Sequence, residues 1–390
     1  MTNQKELTIE RFRPVLSEES LEQLAFRLNL HRASRSNFRE WGQGVPGFWL
    51  DELITDWRSF DTTKLQATLD AFSHFQAEID GLKIHAVVEV GKGPSPIPIL
   101  LTHGWPGSFM EYLKLLPLLV NPQAFGGDPE DSFTVVVPSL PGFGFSSPPP
   151  EQGFTPFEVA KLWQRLMVDG LGFAEYVAHG SDLGAGVTAQ LARNFPESVS
   201  AIHLATPAIP RPPEPWSDLT TQYFKKVDDW TAEEGGYMHM QSTKPSTVSA
   251  ALRDSPVGLA AWIGEKMVTW SDTNNIGEST FDREFLLSTL TLYWTTDTIH
   301  SSFLPYWNFR HNVGSGLVAD SQGPTPTAIS VFGGEIVPFA KPPRDLASRY
   351  FNLSHWFEHE HGGHFPAVAE PALLAKSLRE VFRPMRKLRT

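Results

Sequence analysis

The pentapeptide Gly180-Ser181-Asp182-Leu183-Gly184 joins an apolar, β-rich run, Tyr176–His179, to a helical stretch that continues to Asn194. A strand, a turn that holds a nucleophile between small residues, and a helix are the parts of a nucleophile elbow. The flanking residues must be small because the strand and the helix cross closely at that point. The stretch therefore predicts an elbow with Asp182 at its apex. A Gly-rich turn in which the aspartate only caps the helix has the same local pattern and stays open as an alternative.

An aspartate at the apex of an elbow decides the chemistry. A carboxylate can attack an electrophilic alkyl carbon, whereas acyl transfer requires an alkoxide or a thiolate. Asp182 thus indicates the opening of an epoxide or the displacement of a halide rather than the cleavage of an ester. A serine elbow centred on Ser181 would need glycines at positions that hold His179 and Leu183, so a serine esterase is the weakest interpretation.

The composition excludes several classes of protein. Of the 390 residues, 41% are hydrophobic and 12% are aromatic, which suits a globular protein with a large core. A formal net charge of -12 argues against nucleic acid and anionic membranes as partners. The absence of cysteine excludes disulfides, thiolate metal sites and cysteine nucleophiles. Neither an apolar signal segment nor a run of about 18 apolar residues occurs, so we expect a cytoplasmic protein without a membrane anchor.

Three regions are predicted from the hydrophobic pattern. Residues 1–80 form a helical N-terminal extension in this interpretation, with one of its helices running from Thr62 to Ile79. Residues 81–206 and 322–390 alternate short apolar strands with helices, which predicts an α/β core with a mostly parallel sheet. Residues 207–321 begin with a Pro-rich passage and are predicted to be a helical insertion, here called the cap.

The predicted strands are Ile84–Val90, Ile97–Thr102, Phe133–Val137, Tyr176–His179, Val199–Leu204, Ala328–Phe332 and His355–Phe357. The predicted helices of the core lie near Phe109–Leu119, Phe157–Leu171, Leu183–Asn194 and Ala372–Phe382.

A second motif, His103-Gly104-Trp105-Pro106-Gly107-Ser108, directly follows the predicted strand Ile97–Thr102. In folds built on a nucleophile elbow, the loop after the third strand supplies one backbone N–H to the oxyanion hole, and the residue after the nucleophile supplies the other. The pattern nominates the N–H groups of Trp105 and Leu183. Such a loop alone is often an ordinary turn, but about 80 residues before a matching elbow it is a much more specific signal.

The acid and the base of a catalytic triad have candidates near the C-terminus. Glu335 is the first carboxylate after the penultimate predicted strand, and His364 follows two glycines in a later loop. The chain order Asp182, Glu335, His364 is nucleophile, acid, base, which is the order of the α/β-hydrolase fold. His359 and His361 compete for the role of base, since the chain has 13 histidines and any one of them can be structural.

These motifs together resemble epoxide hydrolases of the microsomal and fungal type, in the α/β-hydrolase superfamily, and the resemblance covers nearly the whole chain. It implies an α/β-hydrolase fold with a helical cap and a cofactor-independent enzyme. It further implies that hydrophobic epoxides are converted to vicinal diols through a covalent ester on Asp182, with the epoxide and water as partners. The segments that carry it are Ile79–His85, His103–Ser108, Gly180–Gly184, Gly236–Pro245, Asp254–Ala261, Tyr293–Thr296 and Gly362–Phe365.

The resemblance also assigns two tyrosines of the cap, Tyr237 and Tyr306, to the epoxide oxygen. A phenol O–H suits this task because it can stabilise a developing alkoxide and then protonate it. Tyr293 is the main competitor, and we interpret it as a packing residue of its helix. The implied role of the N-terminal extension is to wrap the cap and the core, and a homodimer is compatible with the resemblance.

One segment departs from the family pattern. The family usually has Phe-Pro before the triad acid, where this chain has Phe332-Gly333. One register places Glu335 on the acid. The other register, aligned through Val337-Pro338, places Ala340 there, and an alanine cannot orient a histidine. Glu335 is the preferred candidate.

Two alternative functions remain at this point. A haloalkane or haloacid dehalogenase can also use an aspartate elbow, although a halide requires N–H donors rather than phenols. A non-catalytic protein that binds a hydrophobic ligand on the same fold is the alternative from a different class, and a complete set of nucleophile, acid and base argues against it.

Overall fold

The computed structural model describes residues 7–33, 39–150, 153–272, 282–312 and 322–388. Within these ranges the strands are β1 Ile9–Arg11, β2 His74–Ile79, β3 Leu82–Glu89, β4 Ile97–Thr102, β5 Phe133–Pro138, β6 Tyr176–Ser181, β7 Val199–Ala205, β8 Pro326–Phe332 and β9 Asn352–His359. They form a nine-stranded sheet in the order β1-β2-β3-β5-β4-β6-β7-β8-β9.

The sheet is mostly parallel. Strands β1, β2, β3 and β5 pair antiparallel with one another, and every pair from β5 through β4, β6, β7 and β8 to β9 is parallel. Every residue of β4, β5 and β6 is buried, so helices or loops cover both faces at the centre of the sheet. The short apolar runs in the sequence reflect this burial on both faces. The predicted α/β class with a mostly parallel sheet is confirmed.

The α-helices in the described ranges are α1 Glu18–Asn29, α2 Gly47–Arg58, α3 Thr62–Asp70, α4 Leu116–Val120, α5 Pro156–Arg165, α6 Leu183–Asn194, α7 Asp218–Glu234, α8 Gly236–Thr243, α9 Pro245–Asp254, α10 Pro256–Thr269, α11 Arg283–Thr296, α12 Leu304–His311, α13 Arg344–Ser348, α14 Pro366–Ala369 and α15 Pro371–Phe382. Helix α6 packs on β6, β7 and β4 and fills the space beside the elbow, while α5 packs on α6.

The predicted helix from Thr62 to Ile79 is wrong in its second half. Helix α3 ends at Asp70, and residues 74–79 form β2, which pairs antiparallel with β3. The turn between these strands is Asp80-Gly81, and both residues have positive φ angles, 52° and 80°. An Asp-Gly pair in this conformation is a strong hairpin signal because its twist matches that of the flanking strands. The helical spacing of the apolar residues concealed this turn.

A second correction concerns the stretch Phe109–Leu119, which we expected to be one helix. The structure instead has a 3₁₀ turn at Phe109–Tyr112 and the short helix α4. Pro117 lies in the first turn of α4, where its missing N–H costs nothing, and it cannot lie in the interior of a continuous helix without breaking a hydrogen bond. Strand β1, which pairs with β2 at the edge of the sheet, was also not foreseen.

Helices α7 to α12 lie between β7 and β8, and α10 and α11 among them contact the N-terminal extension. Helices α1 and α2 pack against α10, and α1 also packs against α11. Buried and half-buried hydrogen bonds fix these contacts: the indole N–H of Trp57 donates to Thr291, and that of Trp294 donates to the carbonyl of Ser20. The N-terminal helices thus support the helices that cover the elbow. None of the helices in the described ranges combines the length and the apolarity needed to cross a membrane.

Candidate active site

Asp182 lies in the turn between β6 and α6 in a conformation that few residues adopt. Its φ and ψ angles are 52° and -124°, and it is the N-cap position of α6. A non-glycine residue with positive φ is uncommon, and such strain is typical of functional turns. The turn projects the Asp182 side chain away from the sheet at the carboxyl end of the parallel strands. The side chain is 23% exposed.

Close packing around this turn explains why its neighbours are glycines. A Cβ atom on Gly180 would lie 2.2 Å from the carbonyl oxygen of Gly184, and one on Gly184 would lie 2.0 Å from the carbonyl oxygen of Thr102. A Cβ on Gly104 would lie 2.4 Å from the Cβ of Asp182 itself. These distances are far below van der Waals contact. The small residues of the elbow and of the loop after β4 are therefore required by the approach of β4, β6 and α6.

The carboxylate of Asp182 is held by two partners. The backbone N–H of Trp105 donates to Oδ1 at 2.9 Å, and Nε2 of His364 lies 3.3 Å from Oδ2. The backbone N–H of Leu183 belongs to the first residue of α6, and the N–H groups of a first helical turn have no acceptor within the helix. Of the two amides nominated for an oxyanion hole, that of Trp105 thus binds the Asp182 carboxylate, and that of Leu183 belongs to the next residue in the chain.

His364 bridges two carboxylates. Its Nδ1 lies 2.8 Å from Oε2 of Glu335, and its Nε2 faces Asp182. The other carboxylate oxygen of Glu335 accepts the backbone N–H of Val337 at 2.8 Å, which fixes the orientation of the carboxylate. Glu335 and His364 are both 4% exposed. The preferred acid candidate, Glu335, thus contacts this histidine.

The charges around His364 decide its protonation. Burial by itself lowers the pKa of the imidazole, but the nearby carboxylates of Glu335 and Asp182 outweigh it and raise the pKa of His364 to about 10. The imidazole is therefore positively charged at neutral pH as long as both carboxylates carry their charge. Removal of the charge on Asp182 would lower the pKa of His364, because one of the two stabilising anions would be lost.

The loop that carries His364 is fastened to the end of α10. The backbone N–H of His364 donates to the carbonyl of Trp270 at 2.9 Å, and the two rings lie 4.9 Å apart. Asp272, which is 8% exposed, accepts the N–H of Gly362 at 2.9 Å. A Cβ on Gly334, beside Glu335, would lie 2.3 Å from the carboxylate of Asp272. Asp272 therefore contacts both the acid loop and the histidine loop, a positioning role that no sequence motif indicated.

Tyr237 and Tyr306 lie above Asp182 and pack on Trp105. The rings of Trp105 and Tyr237 stack with centroids 5.4 Å apart, and the Tyr306 ring meets Trp105 edge to face at 5.9 Å. The two tyrosine rings are 6.1 Å apart. Burial, together with the negative charge of Asp182, raises the pKa of Tyr237 and of Tyr306 above the ordinary range. Both phenols therefore keep their proton at neutral pH and are available as donors.

A cavity of about 1100 Å³ opens at these residues. Its wall includes Asp182, Leu183, Tyr237, Tyr306 and His364, and most of the remaining lining is apolar. A pocket of this kind, with a few convergent polar groups on an apolar wall, is typical of a site for a small hydrophobic ligand. The Asp182 carboxylate, the His364 imidazole and the two phenols are among the polar groups of this wall.

The competing candidates lie elsewhere. His359 hydrogen-bonds Ser330, and His361 is exposed on the surface. Tyr293 is buried with its hydroxyl donating to the carbonyl of Gly107 at 3.3 Å, which is a packing role. Ser181 is the last residue of β6 and is buried.

Glu111 is a buried carboxyl group near the site that the sequence did not single out. It is 4% exposed, and a Cβ on Gly107 would lie 1.3 Å from its Oε1, so its side chain occupies the space beside that glycine. Burial, with a further contribution from the charge of Asp182, raises the pKa of Glu111 to about 8. A carboxyl group in the turn after the HGWPG loop is the only signal that could have suggested it.

An aspartate on a strand-to-helix elbow, with a glutamate from the loop after β8 and a histidine from the loop after β9, defines a protein of the α/β-hydrolase fold. Comparison with known families supports this class. The family described as "alpha/beta hydrolase fold" matches residues 97–234, and the family described as "Epoxide hydrolase N terminus" matches residues 9–112.

Relatives that match nearly the whole chain identify its family. A candidate epoxide hydrolase of Stigmatella aurantiaca is 40% identical over 380 residues, which are 96% of this chain and 85% of the relative. Epoxide hydrolase 1 of Sus scrofa is 34% identical over 409 residues, covering 96% of this chain and 88% of the relative. The structure of Aspergillus niger epoxide hydrolase superimposes with a TM-score of 0.83 at 29% identity, covering 97% of this chain and 96% of that one. The chain belongs to the epoxide hydrolase family and is a hydrolase.

Proposed function

We propose that this enzyme converts hydrophobic epoxides to vicinal diols in two covalent steps, with Asp182 as the nucleophile. The observation that carries the proposal is the environment of the Asp182 carboxylate. One of its oxygens accepts the N–H of Trp105 and the other faces His364, in the wall of a mostly apolar cavity that Tyr237 and Tyr306 also line. A carboxylate in this setting has no use in acyl transfer, and it suits attack on an epoxide carbon.

The first step is the opening of the ring. Oδ2 of Asp182 attacks a ring carbon, a C–O bond to the carboxylate forms, and the epoxide C–O bond breaks with its electron pair passing to the oxygen. Tyr237 and Tyr306 donate hydrogen bonds to that oxygen and stabilise the alkoxide as it develops. The product is a hydroxyalkyl ester on Asp182. The cavity holds the nucleophile and the ring carbon close together, and such positioning supplies much of the rate enhancement.

Formation of the ester also prepares the base. The negative charge of Asp182 disappears on esterification, so the pKa of His364 falls from its raised value of about 10. His364 then gives up its proton, which ends on the alkoxide oxygen of the hydroxyalkyl ester. The imidazole becomes neutral only once there is an ester to hydrolyse. In this mechanism His364 is protonated in the resting enzyme and neutral in the covalent intermediate.

The second step is hydrolysis of the ester. His364, oriented by Glu335, takes a proton from water, and the hydroxide attacks the ester carbonyl carbon. The oxyanion on Oδ1 is stabilised by the N–H groups of Trp105 and Leu183. The intermediate then collapses and the bond between the carbonyl carbon and Oδ2 breaks. Oδ2 leaves as the second oxygen of the diol and takes the proton of the added hydroxyl, whose oxygen stays on Asp182. Asp182 returns to its charged form and His364 to its protonated form, so that charges and protons balance over the cycle.

The experiment is a single turnover of styrene oxide in heavy-oxygen water, with excess enzyme. We expect an unlabelled diol and one heavy oxygen incorporated into the peptide that contains Asp182. A diol labelled on the first turnover would mean direct attack by water and would refute the covalent mechanism. Release of halide from chloroalkanes, with no diol from any epoxide, would favour the dehalogenase alternative.

A further inference from the structure

Lys266 is a buried cation behind the ring of Tyr237. It lies in α10, one helical turn before Trp270, and its side chain is 6% exposed. The ammonium nitrogen lies 4.9 Å from the centroid of the Tyr237 ring and 6.0 Å from that of Trp270. Among the described residues, the cavity wall includes Tyr237 and does not include Lys266. The lysine thus contacts a ring that lines the cavity, without lining the cavity itself.

The ammonium group also contacts two carboxylates. It lies 2.8 Å from Oε1 of Glu265 and 3.8 Å from Oε2 of Glu234. The carboxylates of Glu265 and Glu234 are more exposed than the ammonium, with side-chain exposures of 21% and 47%. Either carboxylate could be satisfied by a lysine at the surface. An ion pair alone therefore does not explain why the ammonium lies against two aromatic rings of the candidate site.

We infer that Lys266 is a positioning residue for ring opening, whose ammonium stabilises the negative charge that the phenol of Tyr237 receives as the epoxide opens. This inference rests on the proposed function, in which Tyr237 donates to the epoxide oxygen.

The physical basis is the movement of charge in that step. Before ring opening the negative charge is on Asp182, and during ring opening it passes through the breaking C–O bond to the epoxide oxygen and, by way of the hydrogen bond, to the phenol. A cation over an aromatic face is attracted by the ring quadrupole, and the attraction grows when the ring gains electron density. The contact of Lys266 is therefore stronger in the transition state than in the ground state, which is the condition for accelerating a step.

The other groups that face Tyr237 determine whether removing a charge should slow or accelerate ring opening. Asp182 loses its charge during the step, Tyr306 is a second neutral donor, and the charge of Glu265 persists. Burial, followed by the charges of Asp182 and Glu265, raises the pKa of Tyr237. Glu265 thus opposes negative charge on the phenol, and Lys266 counteracts it. Neutralising Lys266 and neutralising Glu265 should change the rate in opposite directions.

The test is single-turnover kinetics with excess enzyme and styrene oxide, which separates ester formation from ester hydrolysis. We expect Lys266→Met to slow ester formation by about tenfold, within the range of a desolvated cation–π contact, and to change hydrolysis by less than about twofold. Lys266→Arg keeps the cation and should recover most of the rate. Glu265→Gln should form the ester at least as fast as the wild type.

A matched control is available outside the site. Lys161 lies 5.0 Å from the centroid of the Phe157 ring, and Lys161→Met should leave both steps unchanged. If Lys266→Met does not fold, the double variant Lys266→Met, Glu265→Gln removes both charges of the pair. This double variant should form the ester more slowly than Glu265→Gln alone.

Failure of the inference and failure of the proposed function are distinguishable. If Tyr237→Phe forms the ester at the wild-type rate, the role of Tyr237 is refuted and the inference falls with it. If Tyr237→Phe is slow and Lys266→Met is not, only the inference is overturned. In the Tyr237→Phe background, Lys266→Met should have no further effect on ester formation. An equal loss in both steps, or an undiminished loss in that background, would indicate a merely structural lysine.

Discussion

The backbone N–H of Trp105 donates to Oδ1 of Asp182 at 2.9 Å, so the amide nominated for the oxyanion hole is already bound to the nucleophile in the resting enzyme. The opposite oxygen, Oδ2, faces His364. In the proposed mechanism Oδ2 attacks the substrate, and Oδ1 becomes the carbonyl oxygen of the ester. The amide therefore holds the same oxygen in the carboxylate, the ester and the tetrahedral intermediate. No reorganisation of the loop after β4 is required between the two steps.

Asp182→Asn tests the nucleophile with little change in the fold. Asparagine tolerates the positive φ at this position, so the elbow should keep its geometry. We expect the rate of ester formation to fall by at least about 10⁴-fold, as when a principal nucleophile is removed. Intact-mass analysis after mixing with styrene oxide should show no protein adduct. An adduct that accumulates in this variant would assign the nucleophile to another residue.

Glu335→Gln tests the acid through the pKa of His364. Although burial lowers this pKa, the charge of Glu335 is the largest of the influences that raise it to about 10, and its removal should lower it. The imidazole would also lose a fixed acceptor for Nδ1–H, so ester hydrolysis should slow by about 10²- to 10⁴-fold. An NMR titration of the His364 ring gives the pKa, and single-turnover kinetics give the rate. An unchanged titration would contradict the assignment of Glu335.

The two cap tyrosines should be partly redundant. Tyr237→Phe and Tyr306→Phe should each slow ester formation by about 10²-fold, since one donor to a developing oxyanion is lost and the other remains. The double variant should be slower than either single variant. Tyr293→Phe is the matched control, because its hydroxyl donates to Gly107 and packs away from the cavity. Its ester-formation rate should stay within about twofold of the wild type, and equal turnover by the double variant would refute the proposed role.

Asp272→Ala should weaken the support of the acid and histidine loops. The variant leaves the N–H of Gly362 without the acceptor at 2.9 Å, and an unsatisfied buried donor costs about 1–3 kcal/mol. We expect the free energy of unfolding, measured with urea, to fall by that amount, and ester hydrolysis to slow more than ester formation. Asp272→Asn keeps an oxygen acceptor and should lose less in both measurements. Equal loss in the Asn and Ala variants would mean that the carboxylate charge, not the hydrogen bond, is what matters.

Glu111 should make the stability of the protein depend on pH. Its pKa is raised to about 8 from an ordinary value of 4.5, so the folded protein holds a proton there that the unfolded chain has released. The contribution of Glu111 to stability is therefore complete below pH 4.5 and is lost as the pH rises through about 8. Glu111→Gln removes this loss.

Urea unfolding at about pH 5 and about pH 9 measures this pH-dependent contribution of Glu111 to stability. The free energy of unfolding of Glu111→Gln should rise relative to the wild type between the two values. Glu130, which is exposed, provides the control, and Glu130→Gln should track the wild type. Parallel curves for Glu111→Gln and the wild type would contradict the raised pKa.

Local patterns in the sequence were sufficient to predict a helix or a strand when all of the evidence for it lies within one segment. Helix α6 begins and ends at Leu183 and Asn194 as predicted, and β4 at Ile97 and Thr102. The apolar runs that fill both faces of a central strand, and the small residues that let α6 cross β6, are both readable from adjacent residues. The edge of the sheet was harder, because β1 pairs with the distant β2, and because the helical spacing of apolar residues concealed the hairpin between β2 and β3.

The sequence could nominate site residues that lie far apart in the chain, but it could not show which of them are in contact. Among three histidines within six positions, the preceding glycines favoured His364. Its contact with Asp182 depends on a loop that Trp270 and Asp272 hold from the end of α10. Lys266 and Asp272 carry no motif at all, since their neighbours in the site come from other segments. Glu111 lay in the predicted helix Phe109–Leu119 and carried no motif, and only its burial beside Gly107 singled it out.

The sequence by itself determined the α/β fold, the aspartate elbow and the chain order of Asp182, Glu335 and His364. These features are local, because turn geometry and strand burial depend on residues that are neighbours in the chain. The tertiary structure alone decided that the carboxylate of Glu335 contacts Nδ1 of His364, and that Tyr237 and Tyr306 pack on Trp105 beside the nucleophile. Such contacts join segments far apart in the chain, and their geometry is fixed by the packing of the cap helices and the register of the sheet.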